Sequence, residues 1–302
     1  MRWVLGAAAL LLAGAALWLW GMGGAQDLAR WAADSQREVQ NAMAGMLRRL
    51  RAGDGAALAG LWGLCFAYGF FHAVGPGHGK LLIGGYGLGR RIAALKLAGL
   101  AVTSSLAQAA TAVGLVYAGV WLFNLTRTQI TGLGEDILAP ASYAAIALIG
   151  LWLAGRGARR LWRQRARIGP DHTHDHHGAG VACSQCGHSH GPTPDEAAQV
   201  HSWRDALALV LAVAIRPCTG ALFLLILTWR MELHLAGIVG AFVMGLGTAT
   251  ISLGVAVASV TMREGVLAQM GRSPAARLAV PLIEIAAGAM IALITLQLIL
   301  SG

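Results

Sequence analysis

ALAGLWGLCFAYGFFHAVGPGHGK, residues 57–80, holds the pattern that decides the fold. No Asp, Glu, Lys or Arg interrupts it before Lys80. A membrane-spanning helix needs about 20 mostly apolar residues. The run 57–76 reaches that length and then meets Gly75-Pro76-Gly77. Proline removes a backbone donor and clashes with the preceding turn, and glycine frees the backbone beside it. The stretch therefore reads as a spanning helix that ends in a break.

The same apolar signature recurs at 3–22, 96–123, 139–155, 206–229, 235–260 and 278–300. Hydrophobic residues make up 56% of the 302, charged residues only 12%, and the mean hydropathy is +0.60. A soluble domain of this size needs a more polar surface, and a disordered chain needs far fewer apolar residues. The predicted fold is all-α: a polytopic helical membrane protein with six core spans as two inverted three-helix halves. An N-terminal anchor or signal helix over 1–25 precedes them. Arg2, a long apolar stretch and Gly23-Gly24-Ala25 fit either version of that first helix.

Charge sets the orientation. One set of loops holds Lys80, Arg90, Arg91, Lys96, Arg156, Arg159, Arg160, Arg163, Arg165, Arg167, Arg204, Arg263, Arg272 and Arg277. The opposite short loops hold Arg127 and Arg230. Basic loops stay cytoplasmic, so the first set is predicted inside. The formal charge of +9 is thereby explained by topology, and nucleic acid is excluded as a partner. Residues 26–56 repeat Leu28, Ala32, Val39, Met43, Met46 and Leu50 at helical spacing, with Trp31 beside them. This external amphipathic helix either lies on the membrane boundary or packs against the spans. Residues 57–155 form the first three-span half, 156–205 a cytoplasmic His/Cys-rich loop, and 206–302 the second half. Each half opens with a Gly/Pro-broken span, the second at Arg216-Pro217-Cys218-Thr219-Gly220. Paired broken helices in inverted halves point to a transport site near the midplane.

His72 and His78 flank the first break. Six residues along a straight helix is about 600°, which would aim them apart. The break lets His78 turn back toward His72, and neutral imidazoles suit divalent Ni, Co, Zn or Cu. A satisfied pair of kink histidines is the plainer alternative. Gly79-Lys80 does not make a phosphate loop, because Leu81 follows where Ser or Thr is required and position 74 is Val. Arg216 and Glu284 are the charges deepest in the later spans, and each costs about 2.5–3.5 kcal/mol at a helix centre. They are expected to pair with each other or to line a water path. Snorkelling to the interface is the alternative for Glu284. Lys80, Arg216, Cys218 and Glu284 are the candidate pathway residues.

The loop carries His172, His174, His176, His177, Cys183, Cys186, His188 and His190. Such His- and Cys-rich tracts bind metal, and this spacing suits flexible capture better than a closed structural zinc site. Cys65 and Cys218 stand in the first span of each half. A membrane thiol relay also uses one cysteine in each of two spans. Two small buried apolar side chains are the simpler reading.

The runs FHAVGPGHGK at 71–80, CGHSHGP at 186–192 and RPCTGALFLL at 216–225 resemble the nickel/cobalt transporter family, in particular its efflux-permease branch. Uptake members carry an HAVDADH-like run. Here His72, Ala73, Val74 and His78 match it, while Gly75 and Gly77 replace both acids. The resemblance covers roughly 57–300. It implies a multi-pass protein of the bacterial inner membrane that exports divalent nickel or cobalt. It also implies no covalent chemistry and no tightly bound cofactor, with Ni2+ or Co2+ as transported substrate. The expected partners are the lipid bilayer and divalent metal ions, and a homo-oligomer is compatible with the pattern. Nickel/cobalt uptake by the same fold is the first alternative, and a thiol oxidoreductase using Cys65 and Cys218 the second.

Overall fold

The computed structural model describes residues 21–75, 78–90, 92–166, 203–270 and 274–301. These residues contain helices and no strands. In chain order the helices are α1 Gly24–Arg51, α2 Ala57–Val74, α3 His78–Gly89, α4 Ala94–Phe123, α5 Arg127–Gly132, α6 Ala139–Ala166, α7 Trp203–Ala214, α8 Thr219–Arg230, α9 His234–Met270 and α10 Pro274–Ser301. A π-helical turn, Leu133–Leu138, joins α5 to α6. Among the described residues, five helices are long and apolar enough to cross a membrane, or six if α7 and α8 count as one span bent by 63°. The expected first helix, 3–22, lies almost wholly outside the described residues.

The chain divides into two compact units. The first comprises 1–77, 108–134 and 217–252, and the second 78–107, 135–216 and 253–302. Each takes residues from both sequence halves. Two divisions fall on the Gly/Pro breaks, after Gly77 and after Arg216. The long helices α4 and α9 each contribute residues to both units.

In the first unit, α1 packs along α2. Ala32, Met43 and Leu47 are buried, with Val39, Met46 and Leu50 half-buried against the core. The predicted apolar stripe is thus a packing face from Ala32 to Leu50, while Leu28 and Trp31 at its start are exposed. Asp27 in the first turn and Arg48, Arg49 and Arg51 in the last complement the helix dipole. The corner into α2 is closed by Arg49, whose Nε and Nη2 donate to Asp54 Oδ2 at 3.0 and 2.7 Å. That guanidinium holds the Asp54 carboxyl below its usual range. Leu61, Cys65 and Tyr68 of α2 meet Leu222 and Leu225 of α8 and Met244 of α9.

Lipid is as apolar as leucine, so membrane helices associate through close packing rather than through escape from water. Here α2 and α9 approach at two glycines. A Cβ at Gly69 would stand 1.9 Å from the Met244 carbonyl oxygen, and one at Gly247 would stand 2.1 Å from that of Phe66. Thr248 Oγ1 donates to Gly69 O at 3.2 Å across the same contact.

The second unit has its own core, with Leu82, Ile83 and Tyr86 of α3, Ile146 and Leu153 of α6, Val213 of α7 and Ile291 of α10. The sequence reading placed residues 77–95 in a basic loop. Instead 78–89 is helical, because its glycine-rich apolar run buries those three side chains. Arg90, counted there as a loop charge, is 8% exposed and pairs with Asp205 at 3.0 Å. It also lies over the Tyr86 and Trp152 rings.

Candidate functional site

The first break follows directly from local chemistry. A residue before proline is pushed out of the helical region. Gly75, before Pro76, accordingly has φ −59° and ψ 166° and ends α2. This leaves His72 in the last turn of α2, half-buried. Its Nδ1 lies 3.2 Å from Gln36 Oε1 of α1. An amide oxygen only accepts, so Nδ1 carries a proton. The Tyr68 ring stacks on the imidazole, with centroids 6.2 Å apart and planes 10° apart.

Cys218 completes the cluster. It is the N-cap residue of α8, and its thiol shares a hydrogen bond with His72. The sulfur also faces the first-turn N–H groups of Gly220 and Ala221, too loosely to make a formal cap bond. Tyr68 bonds Thr219 and fills the space over Gly220, where a Cβ would stand 2.1 Å from the Tyr68 ring. Gln36, Tyr68, His72 and Cys218 therefore form one polar knot on three helices of one unit. An imidazole and a thiol are both borderline-to-soft donors. No group of three or more His, Cys, Asp or Glu able to hold a metal occurs among the described residues.

The other expected residues are distributed differently. Lys80 is half-buried in the first turn of α3. Arg216 and Glu284 do not pair with each other. The Arg216 guanidinium stands 5.0 Å over the Tyr143 ring, bonds its hydroxyl and lies 3.3 Å from Glu135. Glu284 is 2% exposed and takes Arg156 at 2.5 Å and Arg160 at 3.1 Å. It therefore does not snorkel to water. Arg156 and Arg160, one helical turn apart on α6, offer it a nearer countercharge than Arg216 does. Cys65 and Cys218 are free thiols with separate partners: the Cys65 thiol meets Met43 Sδ at 3.8 Å, while Cys218 meets His72. His172, His174, His176, His177, Cys183, Cys186, His188 and His190 lie outside the described residues, as does the side chain of His78.

Gln36 was missed by the sequence reading. The signal for it was faint: a glutamine on the amphipathic helix, four residues after buried Ala32. The link from Cys218 to His72 was missed too, since 146 residues separate them.

Long apolar helices, with a bent pair interrupted at Arg216-Pro217-Cys218, define an all-α protein of the membrane-embedded class. Residues 58–177 match the family model NicO, described as a high-affinity nickel-transport protein. The matched stretch carries His72, His78 and Lys80. A protein of Haemophilus influenzae named "Putative nickel/cobalt efflux system" is 30% identical over 196 residues. The alignment covers 61% of this chain and 60% of that protein. No solved structure matches.

Proposed function

We propose that this protein is a divalent nickel/cobalt permease of the bacterial inner membrane, working in the export direction. The observation that carries the reading is His72. It stands at the helix break inside the stretch matched to a nickel-transport family, with Gln36 fixing its tautomer and Cys218 beside it. A histidine that binds metal ordinarily donates its other N–H to an oriented acceptor, which is the office Gln36 fills. His72 and Cys218 act as a two-donor station, and His78 supplies a further imidazole on the path. Few donors suit a transporter, since the ion has to leave as readily as it arrives. Export is supported by Gly75 and Gly77 in place of the two acids of uptake-type sequences, and by the name of the Haemophilus relative, a nickel/cobalt efflux system. The His/Cys-rich loop then collects the ion on the cytoplasmic side and raises its local concentration at the entrance.

The test is metal content in cells with and without the protein, across Ni, Co, Zn and Cu. Lower cellular nickel or cobalt on expression is expected. Higher nickel or cobalt assigns the chain to uptake, and no change in any of the four metals overturns the transport reading.

A further inference from the structure

The C-terminal end of α6 carries an open pocket of about 530 Å³, lined by Trp152, Arg156, Arg159, Arg160, Arg163 and Gln164. These positions recur at three- and four-residue steps, so one helix face gathers four guanidinium groups. Like charges at that spacing repel each other. The carboxylate recorded against them is Glu284, and it is engaged by Arg156 and Arg160. Arg159 bonds only the Gly155 carbonyl through Nε, and neither Arg159 nor Arg163 has an acidic partner among the described residues. Arg156 Nε is buried without a hydrogen-bond partner among those residues. Gln164 Oε1 and Glu284 Oε2 are likewise buried without a partner among those residues, so the imbalance at the pocket is one of charge: four guanidinium groups against one carboxylate.

Its surroundings are those of a membrane boundary. Trp152 lies 5.4 Å from the Arg156 guanidinium, Trp162 is exposed beside the arginines, and Leu148 and Leu151 are exposed on the apolar side. Tryptophan and arginine at the end of an apolar helix mark the headgroup level. A divalent cation is repelled by this charge, so the pocket does not belong to the metal path.

The geometry points to a binding site for a phosphate-type anion in this pocket, whether the phosphate of an anionic lipid headgroup or free phosphate. Guanidinium forks match phosphate oxygens two at a time, and four of them on one face offset the repulsion that the bare helix carries. A lipid would lay its acyl chains along Leu148 and Leu151, and basic pockets of this type take anionic headgroups. This inference is independent of the metal reading.

The experiment uses the full chain purified in detergent, with retained ligand read by native mass spectrometry. Phosphatidylglycerol, phosphatidylcholine and inorganic phosphate are the probes. R159Q/R163Q removes the two arginines not engaged by Glu284, and K96Q/R204Q removes the same charge elsewhere in that unit. Phosphatidylglycerol retention is expected to fall about tenfold or more in R159Q/R163Q and to stay within about twofold of the parent in K96Q/R204Q. R159K/R163K keeps the charge without the fork and is expected to fall between them. A loss confined to inorganic phosphate assigns the pocket to free phosphate. Equal binding of all three probes by parent and R159Q/R163Q overturns the site, as does an equal loss in K96Q/R204Q.

Discussion

His72 is a side chain whose chemistry is set by its neighbours. Gln36 holds the proton on Nδ1, Tyr68 holds the ring plane, and Cys218 brings a second donor. Donors acting on one ion are strongly non-additive. His72→Asn keeps polarity and approximate size but is a poor ligand, and Cys218→Ser replaces a soft donor with a hard one. Each single change is expected to cut nickel and cobalt protection of cells by at least about tenfold, with the double variant no worse than the more damaged single one. Gln36→Leu is expected to cost about tenfold while leaving His72 in place. The measurement is the metal concentration that halves growth, in cells with matched levels of membrane-inserted protein. Near-normal protection by His72→Asn would make the cluster a packing feature of the helix break. The two histidines of the motif were legible in the sequence. The knot around the first was not, because Gln36 and Cys218 arrive from segments 36 and 146 residues away.

At the scale of elements, the helices of the first unit are positioned by absent side chains. Gly69 and Gly247 let α2 and α9 touch at backbone distance, and the atoms that an added Cβ would strike are carbonyl oxygens that cannot swing aside. Gly69→Ala and Gly247→Ala should each lower the thermal midpoint in detergent, by the equivalent of about 1–3 kcal/mol or more. Gly63, on the same α2, has nothing within 4 Å of its Cβ direction. Gly63→Ala should be neutral or stabilising by up to about 1 kcal/mol, since alanine is the better helix former. Equal destabilisation at 63 and 247 would show that helix propensity rather than close approach governs the pair. Glycine-rich apolar runs announced both kinds of position alike. Which glycines face a neighbouring helix depends on the rotation of each helix, and only the packed structure reveals it.

For the molecule as a whole, the strongest remaining expectation is orientation. Fourteen basic residues on the predicted inner side stand against two in the opposite short loops, with five arginines in the external stretch 26–56 running against the bias. Some of the fourteen serve the fold directly, Arg90 through Asp205 and Arg156 and Arg160 through Glu284. Charge held near one end of the spans still biases insertion. In a chain with its four native cysteines replaced, Thr128→Cys, exposed on α5, should react with an impermeant thiol reagent added to intact cells. Thr193→Cys should react only after the membrane is opened. The reverse pattern would invert the orientation and, with it, the proposed direction of metal capture.

Hydrophobic runs of membrane-spanning length, the helical period of 26–56 and the Gly/Pro breaks were all readable from the chain alone. Each is a local property: apolar length, side-chain period and the stereochemistry of proline do not need a partner to act. The break after Val74 and the one before Thr219 follow from Pro76 and Pro217 wherever those residues sit. Pairing is different in kind. Arg216 and Glu284 each looked like the other's countercharge, because they are the two deepest charges in one dimension. In three dimensions Coulomb attraction rewards proximity, and Arg216 found Glu135 and Tyr143 while Glu284 found two arginines one helical turn apart. The same holds for His72, whose second donor came from the far end of the chain. The helices belong to the sequence, and their partners to the packing, because an ion pair or a hydrogen bond is decided by a few ångströms that no spacing along the chain records.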